Sequence, residues 1–92
     1  MIKKAYEKPR EVEYIEFKGR ENFKEVGEFL GERVSLSIDT ADQEKLIRNE
    51  TQDKISYPVG VVFYKYFDES VYDYVVKVSD TKVFFDKYSD IN

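Results

Sequence analysis

A chain of 92 residues has room for one domain with a thin core, and large side chains must do most of the burying; eight Tyr and seven Phe supply them. Cysteine and histidine are both absent, which excludes disulfide stapling, thiol nucleophiles, thiolate zinc sites and imidazole catalysis. The net charge of −4 belongs to the C-terminal two-thirds: residues 1–33 carry eight basic and eight acidic side chains, residues 34–92 seven and eleven. Such a surface repels phosphate backbones and attracts a basic protein surface, besides keeping the chain in solution.

No apolar run follows Met1-Ile2-Lys3-Lys4, so no signal peptide is expected, and no stretch has the length of a bilayer-spanning helix. With no cysteine, the expected compartment is the cytoplasm. Residues 1–10, charged and broken by Pro9, read as an exposed lead-in to a single domain over 1–92. Residues 11–17 (E-V-E-Y-I-E-F) read as a strand partly covered on both faces, ended by Gly19 and Arg20. The spacing of Phe23, Val26, Phe29 and Leu30 predicts an amphipathic helix over 21–30, with Glu21 and Glu25 near its start and Gly31 as its terminal glycine. Gly27 weakens that helix by about 1 kcal/mol against alanine and is expected to permit close contact with a sheet.

Residues 33–38 (R-V-S-L-S-I) alternate as a half-buried strand. A polar excursion over 39–54 follows. Thr40-Ala41-Asp42-Gln43 has the form of a capping box ahead of Leu46 and Ile47, which predicts a short helix near 41–49; the rival reading is a flexible loop. Residues 55–67 are rich in strand formers, with a bend, bulge or edge at Pro58 and Gly60. Asp68-Glu69-Ser70 makes a turn, 71–78 a further strand, 79–82 another turn, and 83–85 the start of a last strand. The expected fold is α+β: a small two-layer sandwich with one helix packed on a mainly antiparallel sheet of about five strands.

No phosphate-cradling glycine loop and no calcium-loop pattern is present, and the nineteen acidic residues make chance carboxylate pairs unavoidable. No enzymatic activity, metal or cofactor is expected. Tyr64, Tyr66, Tyr72 and Tyr74 flank one turn that also holds Asp68, Glu69 and Asp73. Tyrosine offers large contact area and a polar tip at low entropic cost, so this cluster reads as a surface for a basic protein partner; it reads equally as ordinary strand alternation. The acidic pair beside Lys65 argues against direct nucleic-acid binding.

Lys8-Pro9-Arg10-Glu11-Val12-Glu13-Tyr14-Ile15-Glu16-Phe17, then Asn22-Phe23-Lys24-Glu25-Val26 and Glu28-Phe29-Leu30-Gly31, resemble the opening of a group of small, largely uncharacterised bacteriophage and prophage proteins. Those carry a K-P-V-x-V-E-A strand, a D-N-x-x-E-V helix ending F-L-G, and a G-D-Y-I-I-K-G segment before a P-D-I-F tail. Asp73-Tyr74-Val75-Val76-Lys77 and Ser89-Asp90-Ile91 are similar to the last two, with Tyr72 and Val78 in place of the glycines. The resemblance implies a cytoplasmic phage protein that binds and blocks a host bacterial protein, such as an anti-defence inhibitor of the CRISPR-Cas kind. The alternatives are a self-assembling or virion-associated module, favoured by exposed strand edges, and a sponge for a small nucleotide signal.

Overall fold

The computed structural model describes residues 2–4, 11–48 and 55–88. The element order is β1 (Glu13–Glu16), a 3₁₀ turn (Gly19–Glu21), α1 (Phe23–Leu30), β2 (Val34–Ile38), β3 (Glu44–Arg48), β4 (Ile55–Pro58), β5 (Val61–Asp68), β6 (Asp73–Asp80) and α2 (Thr81–Lys87). The fold is α+β and every strand pair is antiparallel, but the strands form two sheets of three, ordered β1-β5-β6 and β2-β3-β4.

Asn22 sets the start of α1 by tying the preceding turn to β1. Its Oδ1 accepts from Lys18 N at 2.7 Å and its Nδ2 donates to Glu16 O at 2.7 Å. The helix ends at Gly31 (φ 70°), with Gly31 N donating to Glu28 O and Glu32 N to Gly27 O, the paired bonds of a Schellman stop. Gly27 is buried where a Cβ would lie 2.9 Å from Val34 Cγ2, so its absence of a side chain is what lets α1 approach β2.

Three sequence expectations are corrected. The helix expected near 41–49 is strand β3. Asp39 Oδ1 accepts from the amides of both Ala41 and Gln43 at 2.9 Å, which turns the chain back on β2 before any helix can start. Residues 55–67 are two strands in different sheets, separated by a corner at Val59 and Gly60. The expected last strand at 83–85 is α2. Asp80 caps it, accepting from Lys82 N at 2.8 Å, and the packing of Phe84 and Tyr88, one helical turn apart, overrides the strand preference of V-F-F. Residues 5–10 of the expected lead-in and 49–54 of the polar excursion lie outside the described residues.

The main core is Phe17, Val26, Leu46 and Phe63, all fully buried, and it draws on α1 and on both sheets. Leu36, Leu46 and Tyr57 stand side by side across β2, β3 and β4. The Tyr57 ring meets Phe63 of the other sheet edge-on at 5.1 Å. On the opposite face of the β1-β5-β6 sheet, α2 builds a second cluster: Phe84 lies 4.9 Å from Tyr14, 5.3 Å from Tyr64 and 4.8 Å from Tyr88. At the edge of the main core, Glu32 and Arg48 form a paired contact, with Arg48 Nη2 donating to Glu32 Oε2 at 3.0 Å; the Glu32 carboxylate raises the Arg48 pKa and holds it charged.

Truncating Phe84 to alanine should cost about 3–5 kcal/mol by removing the centre of the α2 cluster. Urea unfolding followed by near-UV circular dichroism measures it.

Two carboxylates stabilise the second sheet in a pH-dependent way. Asp39 titrates below 3.8, chiefly because the Gln43 amide donates to it, and Glu44 below 4.5, chiefly because the Arg20 side chain donates to it, with Arg20 Nε at 2.5 Å. Both groups bind fewer protons in the folded chain than in the unfolded one. The stability they add is therefore present above their ordinary pKa and lost as pH falls through the lowered value. Unfolding midpoints measured between about pH 5 and pH 2 should fall steadily. An Asp39→Asn/Glu44→Gln variant should start lower and fall less steeply.

Candidate protein-interaction surface

β1 is half the length of β5. Its first paired residue, Glu13, stands opposite Lys65, so β5 beyond that point and the facing end of β6 extend past β1. At the usual rise per strand residue, Tyr66, Phe67 and Asp68 carry the hairpin roughly 10 Å past its neighbour.

The strand register divides the predicted residues between two faces. Tyr64 and Tyr66 face α2 and are half-buried; their rings stack at 6.4 Å, and Tyr64 also lies 5.7 Å from Tyr88. Burial, with Tyr88 and Tyr66 nearby, pushes the Tyr64 hydroxyl pKa up. These two tyrosines are sheet and core residues. Tyr74, on the other face, stands directly opposite Phe67, and Tyr72 lies in the turn that joins the strands. Both rings meet Phe67 edge-on, at 5.4 Å for Tyr72 and 5.5 Å for Tyr74.

Exposure of this trio is high: Phe67 42%, Tyr72 82% and Tyr74 63%. Val71, Val76 and Val78 extend the apolar surface along the turn and β6. Phe67 and the valines were not picked out from the sequence. The signal for Phe67 was its parity: counted across the turn, it falls opposite Tyr74.

The turn concentrates negative charge. Asp68 and Asp73 are direct cross-strand partners, an arrangement of like charges that disfavours pairing, and Glu69 follows in the loop. Asp68 Oδ1 accepts from Ser70 N at 2.9 Å and Ser70 Oγ at 2.7 Å, and Asp73 Oδ1 accepts from Tyr74 N at 2.7 Å. These bonds hold the carboxylates in place at the tip.

Tyr72 has a positive φ of 53°. The left-handed region is unfavourable for a bulky side chain by roughly 1–2 kcal/mol. Its ring buries little in return.

A groove of about 450 Å³ runs from this patch to the end of α1, with Lys65, Tyr74, Val76, Phe29, Leu30, Glu13 and Glu28 along it. Lys65 is held within the protein: its Nζ donates to Phe29 O at 3.2 Å, lies 3.7 Å from Glu13 and sits 4.4 Å from the centre of the Phe29 ring. Glu13, Glu28 and the carbonyl end of α1 border the groove together with Phe29, Leu30 and Val76. A larger groove, about 730 Å³, lies between α1 and the start of β2 and contains none of the predicted residues.

Among the described residues, no group of three or more acidic side chains is arranged to hold a metal ion, and no helix is long and apolar enough to cross a membrane. Comparison with known proteins finds no matching family model, no matching curated protein and no matching solved structure.

Replacing Tyr72 with asparagine, which tolerates the left-handed conformation, should leave the fold intact and raise stability by about 1 kcal/mol. Equilibrium urea unfolding against the parent chain measures it.

Proposed function

We propose that this chain is a non-enzymatic protein-binding module whose overhanging β5–β6 hairpin docks on a basic surface of a host bacterial protein and blocks it. The observation that carries the reading is Tyr72: a large aromatic side chain held 82% exposed, in a strained backbone conformation, at the most acidic turn of the described chain. Strain of this kind is characteristic of functional sites, and this residue adds little to the core. An aromatic anchor ringed by carboxylates suits a partner surface of lysine and arginine, whose long stems pack on rings while their charged ends meet Asp68, Glu69 and Asp73. The groove beside Tyr74 repeats the same combination with Glu13 and Glu28.

The resemblance to small phage proteins supplies the setting. In that group the position of Tyr72 is glycine, the residue that takes a positive φ freely, so the tyrosine here adds an anchor at a site the backbone already forms. On this reading the protein acts in the cytoplasm of an infected bacterium, as a stoichiometric inhibitor of a defence enzyme of the CRISPR-Cas kind.

The test is affinity capture from lysate of a bacterial host with active defence systems, at low and moderate salt, with bound proteins read by mass spectrometry. The expected result is one dominant partner, retained better at low salt and lost with a Glu69→Lys/Tyr72→Asn variant. The anchor alone should account for about 2 kcal/mol of affinity. Retention unchanged by the variant, or an empty capture at both salts, overturns the reading.

A further inference from the structure

We propose that β6 is also a dimerisation edge: two copies join their β6 strands antiparallel about a twofold axis, with Asp73 of each copy opposite Lys77 of the other. The sheet order places β6 at the outside of its sheet, and among the described residues no strand pairs with its outer side. Proteins protect free edges by keeping them short or by placing proline and charge on them. The other outer strands fit that pattern: β1 and β4 have four residues each, with Pro58 ending β4, and β2 has five. β6 has eight residues and no proline, and its charged residues are Asp73, Lys77 and Asp80. Tyr74, Val76 and Val78 line one of its faces and remain exposed.

Symmetry restricts how two β6 strands can pair. Residues directly opposite each other in an antiparallel pair lie on the same face of the sheet. A twofold axis perpendicular to the sheet leaves each face where it was. Partners must therefore belong to the same face of β6, so the joint centres on one residue that meets its own copy.

Centring on Lys77 sets like charges against each other. Centring on Val76 puts Asp73 opposite Ser79 and Lys77 opposite Val75, and leaves both charges without a partner. Centring on Val75 puts Asp73 opposite Lys77, and symmetry makes that ion pair twice. The same register sets Tyr74 against Val76 twice on the other face, an aromatic–β-branched pairing that sheets favour. Both faces thus agree on one register.

The product is a continuous sheet in the order β1-β5-β6-β6-β5-β1. The joint spans Asp73 to Lys77 of each copy, closes the free backbone edge there, and sets each turn beside Val78 to Asp80 of the other copy. The dimer forms from this chain alone, so its test is independent of the host partner.

Sedimentation equilibrium from micromolar to millimolar concentration reads the association. The parent chain should rise from 11.0 kDa towards twice that mass. Asp73→Lys and Lys77→Asp should each weaken association about tenfold, by setting like charges opposite each other twice per dimer. The Asp73→Lys/Lys77→Asp double variant restores both pairs and should associate as the parent does. Both positions are exposed, and far-UV circular dichroism verifies that each variant is folded. A parent chain that stays at 11.0 kDa throughout overturns the proposal. So do single variants that associate normally, or a double variant that associates no better than the singles.

Discussion

The structure depends on the corner at Val59 and Gly60, where the chain leaves one sheet and enters the other. Gly60 has φ 100°, a conformation closed to most side chains, and three hydrogen bonds gather at this corner, two of them to Gly60 itself. Its amide donates to Phe17 O at 2.9 Å, Phe17 N donates in turn to Val61 O at 2.9 Å, and the Thr81 hydroxyl donates to the Gly60 carbonyl. The corner therefore fixes the end of β1, the start of β5 and the first turn of α2. Because β4 and β5 meet at this corner, Tyr57 and Phe63 are brought ring to ring, and the main core closes between the sheets.

From that corner the two faces of the β1-β5-β6 sheet follow. One face turns inward to Val26, Leu46 and Phe17; the other is covered by α2, whose start is tied to Gly60. Both coverings lie over the half of the sheet near the corner. Among the described residues, the far half, where β5 and β6 run on past the short β1, has neither. The exposed aromatic patch is thus a consequence of unequal strand lengths: eight residues in β5 and β6 against four in β1. In a chain this small, α1 and α2 do not reach the far end.

Much of this was legible in the sequence, wherever local pattern and tertiary packing agree. The 3.6-residue spacing of Phe23, Val26, Phe29 and Leu30 gave α1, and the glycine after it gave its end. The alternation of Val34, Leu36 and Ile38 gave β2. Sequence reading failed where a single polar group redirects the chain. Asp39 competes for the amides that a helix at 41–49 would need, and Asp80 starts a helix in a stretch of strand formers. It failed also on partition, because nothing in I-S-Y-P-V-G-V-V-F says that its halves belong to different sheets. At the candidate surface the turn and its acids were legible, but the face of each tyrosine was not. That assignment needs the register, which sends Tyr64 and Tyr66 to α2 and Tyr74 to the open side with Phe67.

The geometry of the open side sets its aromatic residues apart from the core. Phe67 receives Tyr72 and Tyr74 edge-on, and all three side chains remain exposed. Edge-to-face contacts of this kind restrict the side-chain rotamers of exposed aromatics before any partner arrives. Rigid aromatic anchors lose little entropy on binding, and binding strength depends on that loss as much as on area. The same logic accounts for the facing pair Asp68 and Asp73. Repulsion between them disfavours the closed turn, while Ser70 and the Tyr74 amide hold the carboxylates in position. A basic surface brought against the tip relieves that repulsion and finds its acceptors already placed. Strained Tyr72, the facing Asp68 and Asp73, and exposed Phe67 each run against stability alone, and under the proposed function a cationic partner would turn all three to advantage at the same turn.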